Sequence, residues 1–181
     1  MASLNRRQFL VMSGLTAAAS VLPNPAFASK TVVPSSRILT LSSIHTGETA
    51  SIEYFDGQHY LAQGLAELNH ICRDFRQNET TMMDRRLYDK LNAIRIKLGV
   101  NDAPIKIIGG YRSPETNNML RKKSSKVAKK SFHMTGQAID FYIEGVPMNQ
   151  VHKAALSLRS GGVGRYSSFI HIDTGPTRSW G

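Results

Sequence analysis

The spacing of apolar residues changes along the chain, and this change restricts the folds that the sequence can adopt. Residues 38–57 hold two β-rich runs around a Thr46-Gly47 turn, which predicts a hairpin. Residues 61–75 and 87–98 instead repeat apolar side chains at steps of three and four, which predicts two amphipathic helices. Further strands are predicted at 105–111, 137–143 and 168–173, and further helices after Ser113 and at 148–159.

The first 28 residues are expected to be a leader that does not belong to the folded protein. Arg6 and Arg7 precede a short apolar run that ends at the motif AFA, residues 26–28, as at a signal-peptide cleavage site. The paired arginines indicate the twin-arginine type, which predicts export to the periplasm. The apolar run is shorter than the roughly 20 residues that span a bilayer, so we expect no stable insertion in the membrane.

Residues 29–37 are predicted to be a flexible tether, and residues 38–181 one folded domain. Without the leader, 21 Lys and Arg residues face 13 Asp and Glu residues, a formal charge of +8 that favours acidic partners. In an exported protein we expect this partner to be a cell-wall polymer or an anionic lipid. We expect no nucleic acid, because it is scarce outside the cytoplasm and aromatic residues are not interleaved with basic ones. Cys72 is the single cysteine, so it forms no disulfide within the chain and is interpreted as a small buried residue.

The segment SFHMTGQAID, residues 131–140, brings an imidazole and a carboxylate close together in the chain. Ala138 and Asp140 lie two positions apart on a predicted strand, so they share a face and the alanine leaves space beside the carboxylate. Gly136 allows a sharp turn before this strand, which can bring His133 back toward that space. A loop and its strand can thus supply two ligands of one metal ion.

The last predicted strand supplies a second imidazole, because His171 and Asp173 share one of its faces. Two imidazoles and one carboxylate, from His133, Asp140 and His171, suit zinc and leave a fourth position for water. The sequence therefore predicts one zinc ion per chain. The other histidines lack such partners and are interpreted as structural or solvated, with His45 the least certain of them.

Three motifs together resemble a known family. SFHMTGQAID matches the pattern H-x-x-G-x-A-x-D of the LAS-type zinc peptidases, the group of lysostaphin, the D-Ala-D-Ala peptidases and the hedgehog domain. GYRSPETN (residues 110–117) and GGVGRYSSFIHIDTGPTRSWG (residues 161–181) are similar to its YcbK-like branch, the MepK-type murein endopeptidases. This resemblance covers nearly the whole chain. It implies an α+β fold, with helices on one face of a small antiparallel sheet and a zinc groove on the other.

The resemblance also implies roles for individual residues. His133, Asp140 and His171 would be the metal ligands, and Arg112 would hold the scissile carbonyl or stabilise the oxyanion. Arg112 follows a strand end and precedes a helix capped by Ser113, which would position it rigidly. The alternative for Arg112 is a structural salt bridge with a carboxylate of the sheet.

The general base is where the sequence departs from the family. Many relatives place it two residues before the last ligand, but Phe169 occupies that position here and cannot accept a proton. Asp173 is the nearest carboxylate and the candidate base, and its alternative role is to orient His171 through the free ring nitrogen. Tyr166 and Trp180 are predicted to line the groove for the substrate peptide, the alternative being packing.

The sequence thus predicts a monomeric zinc metallopeptidase that hydrolyses amide bonds in the peptide cross-links of peptidoglycan. Two other functions stay open. One is a carboxypeptidase that releases D-amino acids from stem peptides, and the other is a zinc-stabilised module that binds murein without cutting it. The basic run at 121–130 is interpreted as a solvated loop, with the gathering of an acidic substrate as the alternative.

Overall fold

The structure is a computed structural model that describes residues 35–125 and 127–181. The predicted twin-arginine leader, residues 1–28, and most of the predicted tether lie outside the described residues. The first strand begins at Arg37, next to the expected start of the domain at Ile38. In the described part of the chain, no helix has the length and apolar character needed to cross a membrane.

Seven strands and four helices make up the described residues. The strands are β1 (Arg37–Ser43), β2 (Thr49–Phe55), β3 (Ile105–Gly109), β4 (Ala138–Ile143), β5 (Gly162–Arg165), β6 (Ile170–Asp173) and β7 (Arg178–Trp180). The helices are α1 (Ala62–Ile71), α2 (Arg86–Leu98), α3 (Pro114–Lys123) and α4 (Met148–Ser157), and a 3-10 helix spans Phe132–Thr135. The predicted α+β class is confirmed.

All seven strands of the described residues form one sheet, in the order β2-β1-β3-β4-β6-β5-β7. The strands β3, β4, β6 and β5 pair antiparallel, as the predicted sheet required, and β1 with β2 forms the expected hairpin. The pairs β1–β3 and β5–β7 are parallel. Neither β5 nor β7 was predicted, because segments of four and three residues are too short to show a period.

The two faces of the central strands differ in chemistry. On β4, Ile139, Phe141 and Ile143 are at most 1% exposed, and on β6 the same is true of Ile170 and Ile172. Helices α1, α2 and α4 pack against this apolar side of the sheet. Because side chains alternate across a strand, the polar residues between these apolar ones project to the opposite face.

Helix α3 begins as the sequence predicts. The hydroxyl of Ser113 accepts a hydrogen bond from the amide of Thr116 at 3.1 Å, and Pro114 occupies the first helical position. This cap fixes the chain direction directly after Arg112. Unlike the other three helices, α3 contributes side chains to the polar side of the sheet, where Asn117 contacts the Arg112 guanidinium.

Helix α1 ends at Ile71, earlier than the apolar spacing up to Phe75 predicts. Asp74 explains the difference, because its carboxylate accepts a hydrogen bond from the amide of Arg76 at 3.0 Å and so favours a turn. The same carboxylate accepts from the amide and hydroxyl of Ser113, at 2.9 and 2.8 Å. Asp74 therefore ties the segment after α1 to the start of α3.

Candidate metal centre

The pairing of β4 with β6 places Asp140 directly opposite His171. Residues opposite each other in an antiparallel pair share a face, so both side chains leave the sheet on its polar side. The Nδ1 atom of His171 lies 2.7 Å from a carboxylate oxygen of Asp140. Ala138 pairs with Asp173 in the same way, so the predicted alternation on both strands is confirmed.

His133 reaches the same place from the 3-10 helix. Its amide donates to the hydroxyl of Ser131. The helix is capped by Gly136, whose φ of 66° is a left-handed conformation that favours glycine. The ring Nδ1–H donates to the carbonyl of Gly110 at 2.7 Å. Nε2 is thereby directed at Asp140, whose carboxylate lies 3.3 Å away.

The three predicted ligand residues converge on one point. One ligand atom from each of His133, Asp140 and His171 lies within 4.8 Å of the other two. Two nitrogens and one oxygen form the donor set of a catalytic zinc site, in which three protein ligands leave one position open. Each imidazole also has a hydrogen-bond acceptor on its other nitrogen, which fixes the ring as metal sites require. The residues present therefore fit a zinc ion.

Opposite charges hold this centre in its ionised form. Burial raises the pKa of Asp140, but His133 and His171 outweigh it and hold that pKa well below the usual range. Burial lowers the pKa of His171, whereas hydrogen bonds to Asp140 and Asp173 raise it, and the net change is upward. The carboxylate of Asp140 is thus available as an anionic ligand at neutral pH.

Asp173 lies under the centre and is fully buried. One of its oxygens accepts from the amides of Gly162 and Gly175, at 2.8 and 2.9 Å, and from Arg178 at 3.1 Å. The other accepts from Arg178 at 2.5 Å and faces Nε2 of His171 at 3.3 Å. Burial raises the pKa of Asp173, but the hydrogen bonds from His171, Arg178 and the two glycine amides together outweigh it and hold that pKa well below the usual range. Both oxygens are therefore fully engaged.

Two residues that hold Asp173 were not predicted from the sequence. Lys90, on α2, is buried, and its ammonium donates to the backbone carbonyls of Asp173 and Ser160, at 2.5 and 2.6 Å. Arg178 binds the carboxylate and stacks over Trp180, with 5.1 Å between its guanidinium carbon and the ring centre. The available signal was a lysine within the apolar stripe of a predicted helix, which is unusual unless the amine is paired.

Arg112 stands beside the centre without a tight ion pair. Its guanidinium lies 4.0 Å from the carboxylate of Asp140 and 3.4 Å from the amide oxygen of Asn117. Its backbone amide donates to the carbonyl of His133 at 3.1 Å, which joins the end of β3 to the 3-10 helix. Burial lowers the pKa of Arg112 and Asp140 partly offsets this, yet an arginine remains a cation at neutral pH.

The metal centre opens into a cavity of about 300 Å³, here called the first cavity. Tyr166 and Trp180, predicted to line the groove, both line it, and the indole N–H donates to the tyrosine hydroxyl at 3.2 Å. Tyr166 also stacks on Phe169, with ring centres 4.4 Å apart. The indole lies against Gly164, where an added Cβ would be 2.4 Å from a ring carbon, so a larger residue would displace it.

The basic run lies partly at this cavity. Lys130 lines it, together with Val127 and Ala128, whereas Arg121, Lys122 and Lys123 are exposed at the end of α3. The nearest part of the run can therefore meet a ligand in the first cavity, whereas Arg121, Lys122 and Lys123 face solvent. Around the cavity, the cationic side chains are Arg112, Lys130 and Arg178.

An α+β fold with a His-Asp-His cluster at the floor of a cavity fits the class of metal-dependent hydrolases. Comparison with known proteins narrows this class. The family model described as peptidoglycan L,D-endopeptidase MepK matches residues 31–180. The chain therefore belongs to the MepK family.

Individual relatives agree with the family match. The chain is 50% identical to peptidoglycan L,D-endopeptidase MepK of Escherichia coli (strain K12) over 178 residues, which cover 97% of each chain. The same values hold for the protein of that name from Shigella flexneri. The probable peptidoglycan L,D-endopeptidase MepK of Haemophilus influenzae is 44% identical, over 97% of this chain and 95% of its own.

Proposed function

We propose that this protein is a zinc-dependent endopeptidase that hydrolyses amide bonds in the peptide cross-links of peptidoglycan. Its relatives are named peptidoglycan L,D-endopeptidases, which supports this substrate. The observation that carries the proposal is the convergence of His133, Asp140 and His171 on one point at the floor of a cavity. A peptide needs such a cavity to present its scissile bond to a metal ion. Family membership makes peptidoglycan the substrate to test first.

His133 would hold zinc through Nε2, His171 through Nδ1, and Asp140 through a carboxylate oxygen. When bound, zinc supplies Lewis-acid chemistry for amide hydrolysis, since it polarises a carbonyl and makes water a stronger acid. The carbonyl of Gly110 keeps the proton of His133 on Nδ1, so that Nε2 has a free electron pair. Among the residues that line the first cavity, Asp140 supplies the carboxylate.

Asp173 is proposed to orient His171 by accepting the proton on Nε2, which leaves Nδ1 free for the metal. Its five hydrogen-bond contacts support this role over the role of general base, because neither oxygen is free to accept another proton. Proton transfer by Asp173 stays a prediction. The Asp173→Asn variant distinguishes this role from the orientation of His171.

Arg112 is proposed to hold the carbonyl of the scissile amide. Its cationic group is half-buried and lies 4.0 Å from the carboxylate of Asp140, a distance at which a substrate oxygen can still compete for its N–H donors. A fixed positive charge there stabilises negative charge that develops on that oxygen during hydrolysis. The capped start of α3 and the hydrogen bond from the Arg112 amide to the carbonyl of His133 fix the backbone of Arg112.

Cleavage within a cross-link, and not removal of a terminal residue, is supported by the space on two sides of the centre. A second cavity, of about 260 Å³, is lined by a different set of residues but shares Arg112 and Asp140 with the first. An endopeptidase must hold peptide on both sides of the scissile bond. Tyr166 and Trp180 would contact it on the side of the first cavity.

The proposal includes export by the twin-arginine leader, a periplasmic location and a monomeric state. The positive charge of the chain agrees with a polymer whose stem peptides carry carboxylates. The location is tested by replacing both Arg6 and Arg7 with lysine and fractionating the cells that express the protein. The altered protein should be retained in the cytoplasm. Finding the altered protein in the periplasm would remove the twin-arginine assignment.

The activity is tested by incubating the purified protein with cross-linked sacculi and identifying the products by mass. We expect muropeptide monomers to be released, a chelator to stop the release, and added zinc to restore it. His133→Ala should abolish the release, whereas His59→Ala, which changes an exposed histidine outside both cavities, should not. Zinc content is measured on the same samples.

Other outcomes correspond to the other functions. Free single amino acids with intact cross-links would identify a carboxypeptidase. Binding to sacculi without any new product, at full zinc content, would identify a binding module and refute the endopeptidase.

A further inference from the structure

The second cavity is formed mostly by residues that take no part in the metal centre. It lies between the segment after α1, the end of β3 and the start of α3, and its lining includes His45, Phe75, Arg76 and Tyr111. It adjoins the metal centre because Arg112 and Asp140 also line it. A peptide bound across the centre would therefore extend into it.

A stack of three side chains forms one side of this cavity. The rings of His45 and Phe75 lie 4.0 Å apart at an angle of 18°, and the guanidinium carbon of Arg76 lies 4.2 Å from the centre of the Phe75 ring. Two planar groups this close to one ring must occupy its opposite faces. His45 is further fixed by a hydrogen bond between Nε2 and the carbonyl of Ile108 at 3.1 Å. The stack thus holds Arg76 in position at the cavity.

Arg76 differs from Arg73 and Arg112, the other arginines that line the second cavity, in having no carboxylate within ion-pair distance among the described residues. Arg73 is bound by both oxygens of Glu48, at 2.7 and 3.1 Å, and Asp74 is engaged by Ser113. In the described residues, no carboxylate lies within ion-pair distance of the Arg76 guanidinium. Arg76 is therefore a cation that is held in place and open to an anion from outside.

The segment that carries Phe75 and Arg76 is tied to the neighbourhood of the metal centre by hydrogen bonds. The amide of Tyr111 donates to the carbonyl of Cys72 at 2.7 Å, and Asp74 binds Ser113. Both contacts lie within a few residues of Arg112. The distance between Arg76 and the metal centre is therefore set by the folded chain, as a site that recognises one group of a substrate requires.

We propose that the second cavity is a binding site for a free carboxylate of the cross-linked stem peptide, with Arg76 as the residue that recognises it. A guanidinium binds carboxylates through paired N–H donors, and stacking on Phe75 leaves those donors in the plane of the group free. This inference rests on the proposed function, since it assigns part of the same substrate to this cavity. It makes Arg76 a determinant of specificity and gives His45 a supporting role.

The test uses a cross-linked muropeptide dimer and the same dimer with its free carboxylates converted to amides. Wild-type protein should cleave the carboxylate form with a kcat/KM about ten-fold higher, because a charge-assisted hydrogen bond is lost with the amide. Arg76→Gln should remove this preference by raising KM for the carboxylate form alone. Arg85→Gln is the matched control, since Arg85 also stacks on an aromatic ring at 4.2 Å, over Tyr60, away from both cavities.

Binding of both dimers is also measured by calorimetry on the His133→Ala protein, with and without Arg76→Gln, so that cleavage does not consume the probe. If the carboxylate form binds more tightly and Arg76→Gln removes this difference, the site is supported. If in addition the wild-type protein cleaves neither dimer, the proposed function is refuted but the site is not. Cleavage with equal kcat/KM for the two dimers, or an undiminished preference in Arg76→Gln, overturns the site and leaves the proposed function intact.

Discussion

The metal centre and the stacked side of the second cavity both depend on charged side chains, but they differ in burial. At the centre, Asp140 is 7% exposed and Asp173 is fully buried, and each is surrounded by several donors. At the second cavity, His45 and Arg76 are exposed, and the nearby pair of Arg73 and Glu48 is only partly covered. The first region is a closed network, and the second is open to solvent.

Because of this difference, substitutions in the two regions should have different effects on stability. Removing one partner from a buried network leaves an unsatisfied charge in a medium that solvates it poorly, whereas water replaces a lost partner at the surface. We therefore expect substitutions at the centre to affect metal binding and folding strongly. Substitutions around the second cavity should act weakly on stability and mainly on the choice of substrate.

The largest effect is expected for Asp140→Asn, which removes the carboxylate between the two imidazoles. An amide is a poor zinc ligand, so zinc content should fall. We expect kcat/KM to decrease about 10³-fold or more, because a metal ion stabilises the transition state by several kcal/mol. Zinc analysis and muropeptide release are measured on the same preparation. Glu144→Gln, which changes an exposed carboxylate just beyond the same strand, should behave as wild type. Full zinc occupancy and activity in Asp140→Asn would contradict the assignment of this ligand.

A smaller effect is expected for Asp173→Asn, which keeps the shape of the side chain but removes its charge. If Asp173 orients His171, zinc affinity should fall about ten- to a hundred-fold, and excess zinc should restore most of the turnover. The measurements are zinc affinity by competition with a chelator and kcat at saturating zinc. Asp102→Asn, at an exposed position, is the control.

The opposite result would identify the general base. Turnover that stays low at full zinc occupancy, with zinc affinity unchanged, would mean that Asp173 moves a proton and does not orient the ligand. Circular dichroism at working temperature establishes that the variant is folded, because the change also removes the partner of Arg178.

Much of the centre could be predicted because it depends on local rules. The two-residue period of a strand was enough to place Asp140 and His171 on the polar face, and the glycine rule located the turn at Gly136. Strand pairing then brought the two faces into register. The resemblance to a known family supplied the fold, and it implied the same ligand set that the residues had suggested, which stays a prediction.

The rest of the site depends on contacts between distant segments, which periodicity does not encode. Lys90 binds the carbonyl of Asp173 across 83 positions of the chain, and nothing in the helical pattern of α2 indicates that partner. The strand β7, which carries Arg178 and Trp180, has three residues and forms only because β5 offers an edge. The second cavity likewise arises where a turn after α1 meets the end of β3.

Lys90→Met tests whether the closed network depends on this distant contact. The change leaves the carbonyls of Asp173 and Ser160 without their donor, which should reduce the free energy of unfolding by about 1–3 kcal/mol. Urea unfolding of the protein at neutral pH measures it. Lys97→Met, on the exposed side of the same helix, should stay within about 0.5 kcal/mol of wild type. Equal stability of the two variants would show that Lys90 does not stabilise the network.

The smallest effect is expected for Glu48→Gln, which breaks the ion pair at the open side of the molecule. Hydrogen bonds from Arg73 and Thr46 lower the pKa of Glu48 from 4.5 to about 2, so the carboxylate binds protons less readily in the folded than in the unfolded chain. The stabilisation is therefore complete above about pH 4.5 and is lost as the pH falls toward 2. Because Glu48 is 38% exposed, solvent screens the pair, and the difference from wild type at pH 7 should be at most about 1 kcal/mol. Urea unfolding at a series of pH values, with Glu53→Gln as the control, should show this difference shrinking on acidification. A loss at pH 7 as large as that of Lys90→Met would contradict the distinction drawn between the buried and the open region.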